Sequence, residues 1–371
     1  MKGSAPWQVR RMLFHPAGFT FFVLLLIVAG VIIQGGGDPL ALARLGTRYS
    51  QGDAAGTDGY DGQFVYYIAR DLDPQVVRPY LDVPPYRYQR ILLPLLARGL
   101  SFGNEALLPW MLAILGIVTQ TAGTWAVSQL LKGWGINPWF ALVYGLWAGL
   151  VLAVRLDLPE PLAYGLVAGS LLAHERQKGW LSWILLGLSV FAKEVTALFV
   201  LASFLASFMS KRWLECFAVI LIAVLPFALF QVWLWQAFGA PGIGSGGAMA
   251  TPFEWIPFMG FFRIGFYNLF YLLAMLVVFG PAIILPSIWG VWAGLRQWIS
   301  GDTNVIVAAL ALNALIMCFL PFSTVREAGG LLRFACGLVL AVLLYASRYR
   351  KKKVLHYSLF WLVLNAFLIK S

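Results

Sequence analysis

Charge is scarce in this chain. Of 371 residues only 12% are charged, about half the share found in soluble globular proteins, while 60% are hydrophobic and the mean hydropathy is +0.78. That excludes a soluble multidomain protein. Apolar runs fill the sequence, which excludes a disordered chain and a coiled coil as well. Cysteine is equally thin. Cys216, Cys318 and Cys336 lie in or beside apolar stretches without paired spacing. They exclude a disulfide scaffold and read as small buried hydrophobes rather than a metal or redox site. The three histidines, His15, His174 and His356, are too scattered for a zinc site or a catalytic triad, and no phosphate loop or dinucleotide fingerprint is present.

What the chain has is apolar length. A bilayer core takes about 20 residues as helix. Candidate spans fall at residues 17–33, 105–131, 137–154, 160–173, 180–192, 195–209, 213–238, 271–295, 303–320, 330–347 and 354–370, eleven in all. The expected fold class is an all-α polytopic membrane protein, a bundle of about 11 transmembrane helices forming one domain over 1–371. Residues 34–90 make a long first outer loop with short interfacial helices, and 239–262 a second, Gly-rich and mobile outer loop. The first span follows Lys2, Arg10 and Arg11 without a convincing small-residue cleavage site, so it reads as a retained helix.

Charge sets the orientation. With a cytoplasmic amino terminus and eleven spans, the inside holds 14 cations, including Lys132, Arg348 and the run Arg350 to Lys353, against Glu175, Glu215 and Asp302. The outside holds 13 of each sign, so the whole net charge of +11 lies on one face, as the positive-inside rule requires. Joining 180–209 into one helix would send the basic run at 348–353 outside, which favours two short helices meeting at Lys193-Glu194. The +11 is thus an orientation signal with some affinity for anionic lipid headgroups, and not a nucleic-acid footprint.

The outer segments are neutral in sum yet dense in charge. In Asp58-Gly59-Tyr60-Asp61-Gly62, glycines suit a turn, and the following Gln63 to Arg70, with Tyr66 and Tyr67, suits a short helix on the membrane surface. Asp58 and Asp61 converge if the turn is helical, and a helix cap is the other role open to either. Arg87 and Arg90 share a helical face just before an apolar run, which fits phosphate chelation by the guanidinium fork and equally fits snorkelling to the interface. Asp157 and Glu160 are close enough to share a site between two spans, with Pro161 suited to a first helical turn. Lys193 and Glu194 sit at the tip of two short helices. Arg333 falls inside an apolar run, where a charge is a functional candidate by default, and Arg326 lies about two helical turns earlier. An ion pair of Arg333 with Glu327 or Glu194 is the structural alternative.

This collection resembles the GT-C superfamily of membrane glycosyltransferases. The resemblance rests on Asp58-Gly-Tyr-Asp61 leading to Tyr66-Tyr67-Ile68-Ala69, on Tyr86-Arg87-Tyr88-Gln89-Arg90, on Asp157 with Glu160, and on Gly187 to Glu194 between two short helices. It implies an inverting transfer of sugar from a polyprenyl-phosphate donor to a hydroxyl of a glycan, lipid or protein acceptor, at the outer face of a bacterial-type plasma membrane. It implies a carboxylate base in the first outer loop, carried over to Asp61 first and Asp58 second. Arg87, Arg90, Lys193, Arg326 and Arg333 would steady the leaving phosphate, while Tyr67, Asp157, Glu160 and Glu194 complete the substrate site. Asp58-x-x-Asp61 is not the Asp-x-Asp pair of metal-dependent members, so no cofactor is expected, and a divalent metal, which Asp157 and Glu160 would help ligate, is the less favoured alternative. Membrane lipids are expected partners and nucleic acid is not. The rival readings are a transporter or flippase of a lipid-linked or anionic substrate, which calls for broken helices near the midplane, and a polysaccharide polymerase.

Overall fold

Prolines and polar caps decide where the helices of this chain begin and bend. The structure, a computed structural model, describes residues 15–368. Lys2, Arg10 and Arg11, placed above before the first span, and residues 369–371, at the end of the last expected span, lie outside the described residues. Among the described residues the secondary structure is entirely helical. The elements that matter below are α1 (Pro16–Gln34), α2 (Gly62–Arg70), α3 (Pro84–Tyr88), α4 (Leu108–Gly133), α5 (Ala148–Arg155), α6 (Glu160–Glu175), α7 (Gly179–Ala192), α8 (Ala197–Met209), α9 (Trp213–Phe238), α10 (Leu269–Ile299), α11 (Val305–Cys318), α12 (Ala328–Phe334) and α13 (Cys336–Arg348).

His15 caps α1 by accepting from the Ala17 amide, with Pro16 at the first helical position where no N–H is needed. Pro161 plays the same part in α6. The long helices α9 and α10 each carry a π turn, at Ile220–Val224 and Gly280–Ile284, ending two residues before Pro226 and Pro286. A proline cannot bond the carbonyl four residues back and its ring crowds it, so the helix widens locally. The carbonyl released by Pro286 is that of Ala282, and the Trp361 indole N–H donates to it at 2.8 Å.

Among the described residues four helices, α1, α4, α9 and α10, are long and apolar enough to cross a membrane. The number rises to six if two bent pairs each form one span: Pro138–Gly145 with α5, bent by 54°, and α12 with α13, bent by 43°. The described residues thus hold four to six candidate crossings, and the expected eleven are not confirmed. The apolar helices α7 and α11 have 14 residues each, about 21 Å at 1.5 Å per residue, against a hydrocarbon core of about 30 Å. Much of their hydrophobicity faces other helices: α11 buries Val307, Leu310, Ala314 and Met317, which hydropathy alone cannot tell from lipid exposure. These long apolar helices are compatible with an integral membrane protein.

The two bent pairs cross. Trp147, buried at the first bend, donates its indole N–H to the Leu332 carbonyl at 2.9 Å. A Cβ at Gly149 would overlap that same carbonyl, so the glycine permits the approach. Between α7 and α8 the chain breaks at Lys193, which is extended (φ −156°), so 180–209 forms two helices.

One expectation about loops needs correcting. Helix α2 is not laid on the surface: Gly62 through Ala69 are all buried, packed with Leu93, Ala97, Leu108 and Leu112. Its aromatic run was apolar enough for either place. The Gly-rich segment after α9 makes a few contacts with its surroundings. Gln231 Oε1 accepts from the amides of Gly242 and Ile243, both at 2.9 Å, Asp82 Oδ2 accepts from the Ala248 amide at 3.2 Å, and the Thr251 amide donates to Ser323 Oγ at 3.0 Å.

Candidate active site

The turn before α2 brings Asp61 to the N-cap position of that helix, yet its carboxylate makes no capping bond. It reaches sideways instead. Oδ1 lies 2.9 Å from Arg87 Nη1 and Oδ2 lies 2.9 Å from Arg333 Nη2. The two guanidiniums come from α3 and α12, far apart in sequence, and both side chains are about nine-tenths buried.

Each of these cations holds a second carboxylate. Arg87 grips Asp82 through Nε and Nη2, at 2.7 and 2.8 Å, the two-point geometry that makes arginine–carboxylate pairs strong. Arg333 Nε donates to Glu160 Oε1 at 2.8 Å. Glu160, fully buried at the start of α6, also accepts from Lys193 Nζ at 2.6 Å. Alongside, Arg90 makes a two-point pair with Glu194, at 2.6 and 2.8 Å, and donates to the Tyr86 hydroxyl at 2.6 Å. Together these are four cations and four carboxylates, so the cluster is electrically balanced as it stands. A buried network of this kind holds only because every charge is paired.

Asp61 differs from the other members in remaining 30% exposed. It faces a crevice lined by Phe64, Arg87, Arg90, Pro159 and Arg333. Burial pushes its carboxyl up, but Arg87, Arg333 and then Arg90 more than reverse this, holding it well below the usual carboxylate range. The crevice has a volume of about 10 Å³, room for roughly one water molecule. With its ion pairs closed it admits no sugar.

The other expected residues divide. Asp58 turns away behind Gly59 (φ +67°) and pairs with Arg48 at 2.5 Å, its side chain 71% exposed, so the two aspartates do not converge. Tyr67 is buried between Tyr66 and Tyr80 under the Arg70 guanidinium rather than lining the crevice. Arg326 is exposed over the Phe322 ring. The helical spacing expected between Arg326 and Arg333 does not exist, because the chain leaves helix at Arg326-Glu327 before α12 starts. Asp157 sits at φ +51° and is buried, and among the described residues no donor reaches either of its carboxylate oxygens. Burial alone pushes its carboxyl well above the usual carboxylate range.

Three residues enter that spacing did not single out. Asp82 anchors Arg87. Tyr60 accepts from Arg333 Nη1 at 3.2 Å and donates to Glu327 at 2.8 Å. Glu327, weighed above as a direct partner of Arg333, thus reaches it only through that hydroxyl. Tyr60 lies inside the Asp58 to Asp61 run, but nothing in a single sequence marks a loop tyrosine as the bridge to a glutamate 267 residues on. No group of three or more His, Cys, Asp or Glu side chains is arranged to hold a metal ion among the described residues. No protein-family model, curated protein or solved structure matches this chain.

Proposed function

We propose that the chain is a membrane glycosyltransferase of GT-C type that moves a sugar from a polyprenyl-phosphate donor to an acceptor hydroxyl at the outer face. The observation that carries this reading is a partly exposed carboxylate, Asp61, held between two largely buried guanidiniums at the mouth of a crevice. Carboxylates and phosphates compete for the same fork of N–H donors. A donor phosphate entering the crevice takes Arg87 and Arg333 from Asp61, while Asp82 and Glu160 keep those side chains in place.

Two things follow from that exchange. The phosphate is steadied where its charge will grow, and Asp61 loses the neighbours that suppress its basicity. The acceptor oxygen then attacks the anomeric carbon and its proton passes to Asp61. The bond from that carbon to the phosphate oxygen breaks, and the electron pair stays on the phosphate. Attack from the face opposite the leaving group inverts the configuration. Arg90 with Glu194, and Lys193 with Glu160, hold the rim of the site, and no metal is needed to balance the charge.

A second reading, a transporter of a lipid-linked or anionic substrate, draws on one specific feature: the two bent helix pairs cross at Trp147 and Leu332, and broken helices are how many transporters build a site within the membrane. Incubating the purified chain with a panel of polyprenyl-phosphate sugars and following the lipids by mass spectrometry separates the two. Appearance of free polyprenyl phosphate with a glycosylated product supports transfer. An unchanged donor that moves between leaflets of a vesicle supports transport.

A further inference from the structure

A hollow roomier than the crevice at Asp61 lies at the other end of the bundle. It measures about 620 Å³, within the range of small-ligand sites, and is lined by Trp134, Gly135, Asn304, Arg348, Tyr349 and Arg350 together with Asp302. Helix α4 ends there in a Gly-terminated turn, with Gly135 at φ +72° and the Ile136 amide returning to the Leu131 carbonyl at 2.9 Å. Helix α13 ends there at Arg348, and α11 starts there under its Asn304 cap, which accepts from the Ile306 amide.

The charges at this hollow are unequally satisfied. Asp302 is occupied: it accepts from Tyr349 Oη at 2.5 Å, from the Asn304 amide at 3.1 Å and from Gln297 Nε2 at 3.2 Å. Arg348 is bound to Glu175 at 3.0 Å, and the Trp134 indole N–H donates to the same carboxylate at 2.8 Å. Arg350 has no carboxylate partner among the described residues and is exposed, its guanidinium close enough to Gly135 to meet a Cβ built there at 3.7 Å. Lys351 to Lys353 follow it in the chain and Lys132 precedes Gly133 at the edge of the hollow, so six cations flank this end against Glu175 and Asp302.

We infer that this hollow binds a phosphate-bearing anion, its phosphate held by Arg350 and its body resting against Trp134. The fork of Arg350 is open to a phosphate, the glycine beside it lets the ligand come close to the backbone, and the surrounding lysines supply attraction over the range that salt does not screen. The phosphate can belong to an anionic phospholipid of the adjoining leaflet or to a soluble ligand. This site does not depend on the transfer reading.

The test uses the full-length chain in neutral detergent, with native mass spectrometry counting retained lipid. Wild type is expected to retain phosphatidylglycerol over phosphatidylcholine, and Arg350→Gln to weaken retention about tenfold, the cost of losing a charge-assisted contact to phosphate. Asn304→Asp keeps the helix cap but adds a negative charge to the hollow, and is expected to weaken it as well. Arg212→Gln, which alters a surface pair with Glu215 outside the hollow, is expected to change nothing. Displacement of the lipid by millimolar inorganic phosphate assigns the site to a soluble ligand, and resistance to it assigns a lipid headgroup. Equal retention by wild type, Arg350→Gln and Asn304→Asp, or an equal loss in Arg212→Gln, overturns the inference.

Discussion

Replacing Asp61 by asparagine separates its two roles, as a partner of arginine and as a base. The variant keeps the shape of the side chain and removes its charge. Arg87 still holds Asp82 at 2.7 Å and Arg333 still holds Glu160 at 2.8 Å. Neither guanidinium is orphaned, so the expected stability loss is small, about 1–2 kcal/mol, the scale of one weakened charged hydrogen bond. The balanced cluster gains one net positive charge. A unit charge about 4 Å from a phosphate in an effective dielectric of about 20 is worth roughly 4 kcal/mol, part of which is lost to solvent at this half-open site. Donor binding is therefore expected to tighten by about tenfold or more, although transfer falls by roughly 10²–10⁴-fold with the base gone. Equilibrium binding of a labelled polyprenyl-phosphate sugar and single-turnover transfer measure the two quantities. Transfer within threefold of wild type would refute Asp61 as the base. Weaker donor binding would refute the exchange of carboxylate for phosphate.

Arg333→Ala leaves Glu160 with Lys193 alone and Asp61 with Arg87 alone; stability is expected to fall by about 3–5 kcal/mol, read as a large drop in thermal midpoint in detergent, and an unchanged midpoint would contradict the buried network. Asp157 has a folded pKa raised above its unfolded value, so the folded protein binds its proton more tightly. Stability then declines as pH rises from the unfolded value near 4 toward the raised one, by up to about 1.4 kcal/mol per pH unit, and Asp157→Asn is expected to flatten that dependence and raise the midpoint at pH 7. Asp61 works in the opposite sense: its contribution is present above the unfolded value near 4 and is lost only as pH falls through its lowered folded value, so no change between pH 5 and 8 is expected from it in a thermal melt. Gly149→Ala drives a methyl into the Leu332 carbonyl and is expected to cost about 1–3 kcal/mol, with wild-type melting as the refuting result.

Much of the charged cluster was legible because arginine, lysine and carboxylate are rare in so apolar a chain. Glu160, Lys193, Glu194 and Arg333 stood out for that reason, and Asp61, Arg87 and Arg90 by a glycine turn and a shared helical face; the structure joins Asp61, Arg87, Arg333, Glu160 and Lys193 through their ion pairs and sets Arg90 with Glu194 alongside. Asp82 and Tyr60 were hidden in a loop already crowded with charge and aromatics, where only the fold distinguishes a solvated side chain from a bridging one. Arg326 misled because helical spacing was extended across a break that Glu327, in extended backbone (φ −107°), imposes. The helical class was plain from apolar length, but the number of crossings was not: a helix sheathed by other helices and one bathed in lipid have the same hydropathy.

The strap of residues after α9 and the grip on Arg87 meet at a single oxygen. Asp82 Oδ2 takes the Arg87 Nη2 hydrogen bond at 2.8 Å and the Ala248 amide at 3.2 Å. Because both bonds end on that one carboxylate, its removal frees the guanidinium and the Gly-rich segment together, so a single side chain ties the order of one to the order of the other.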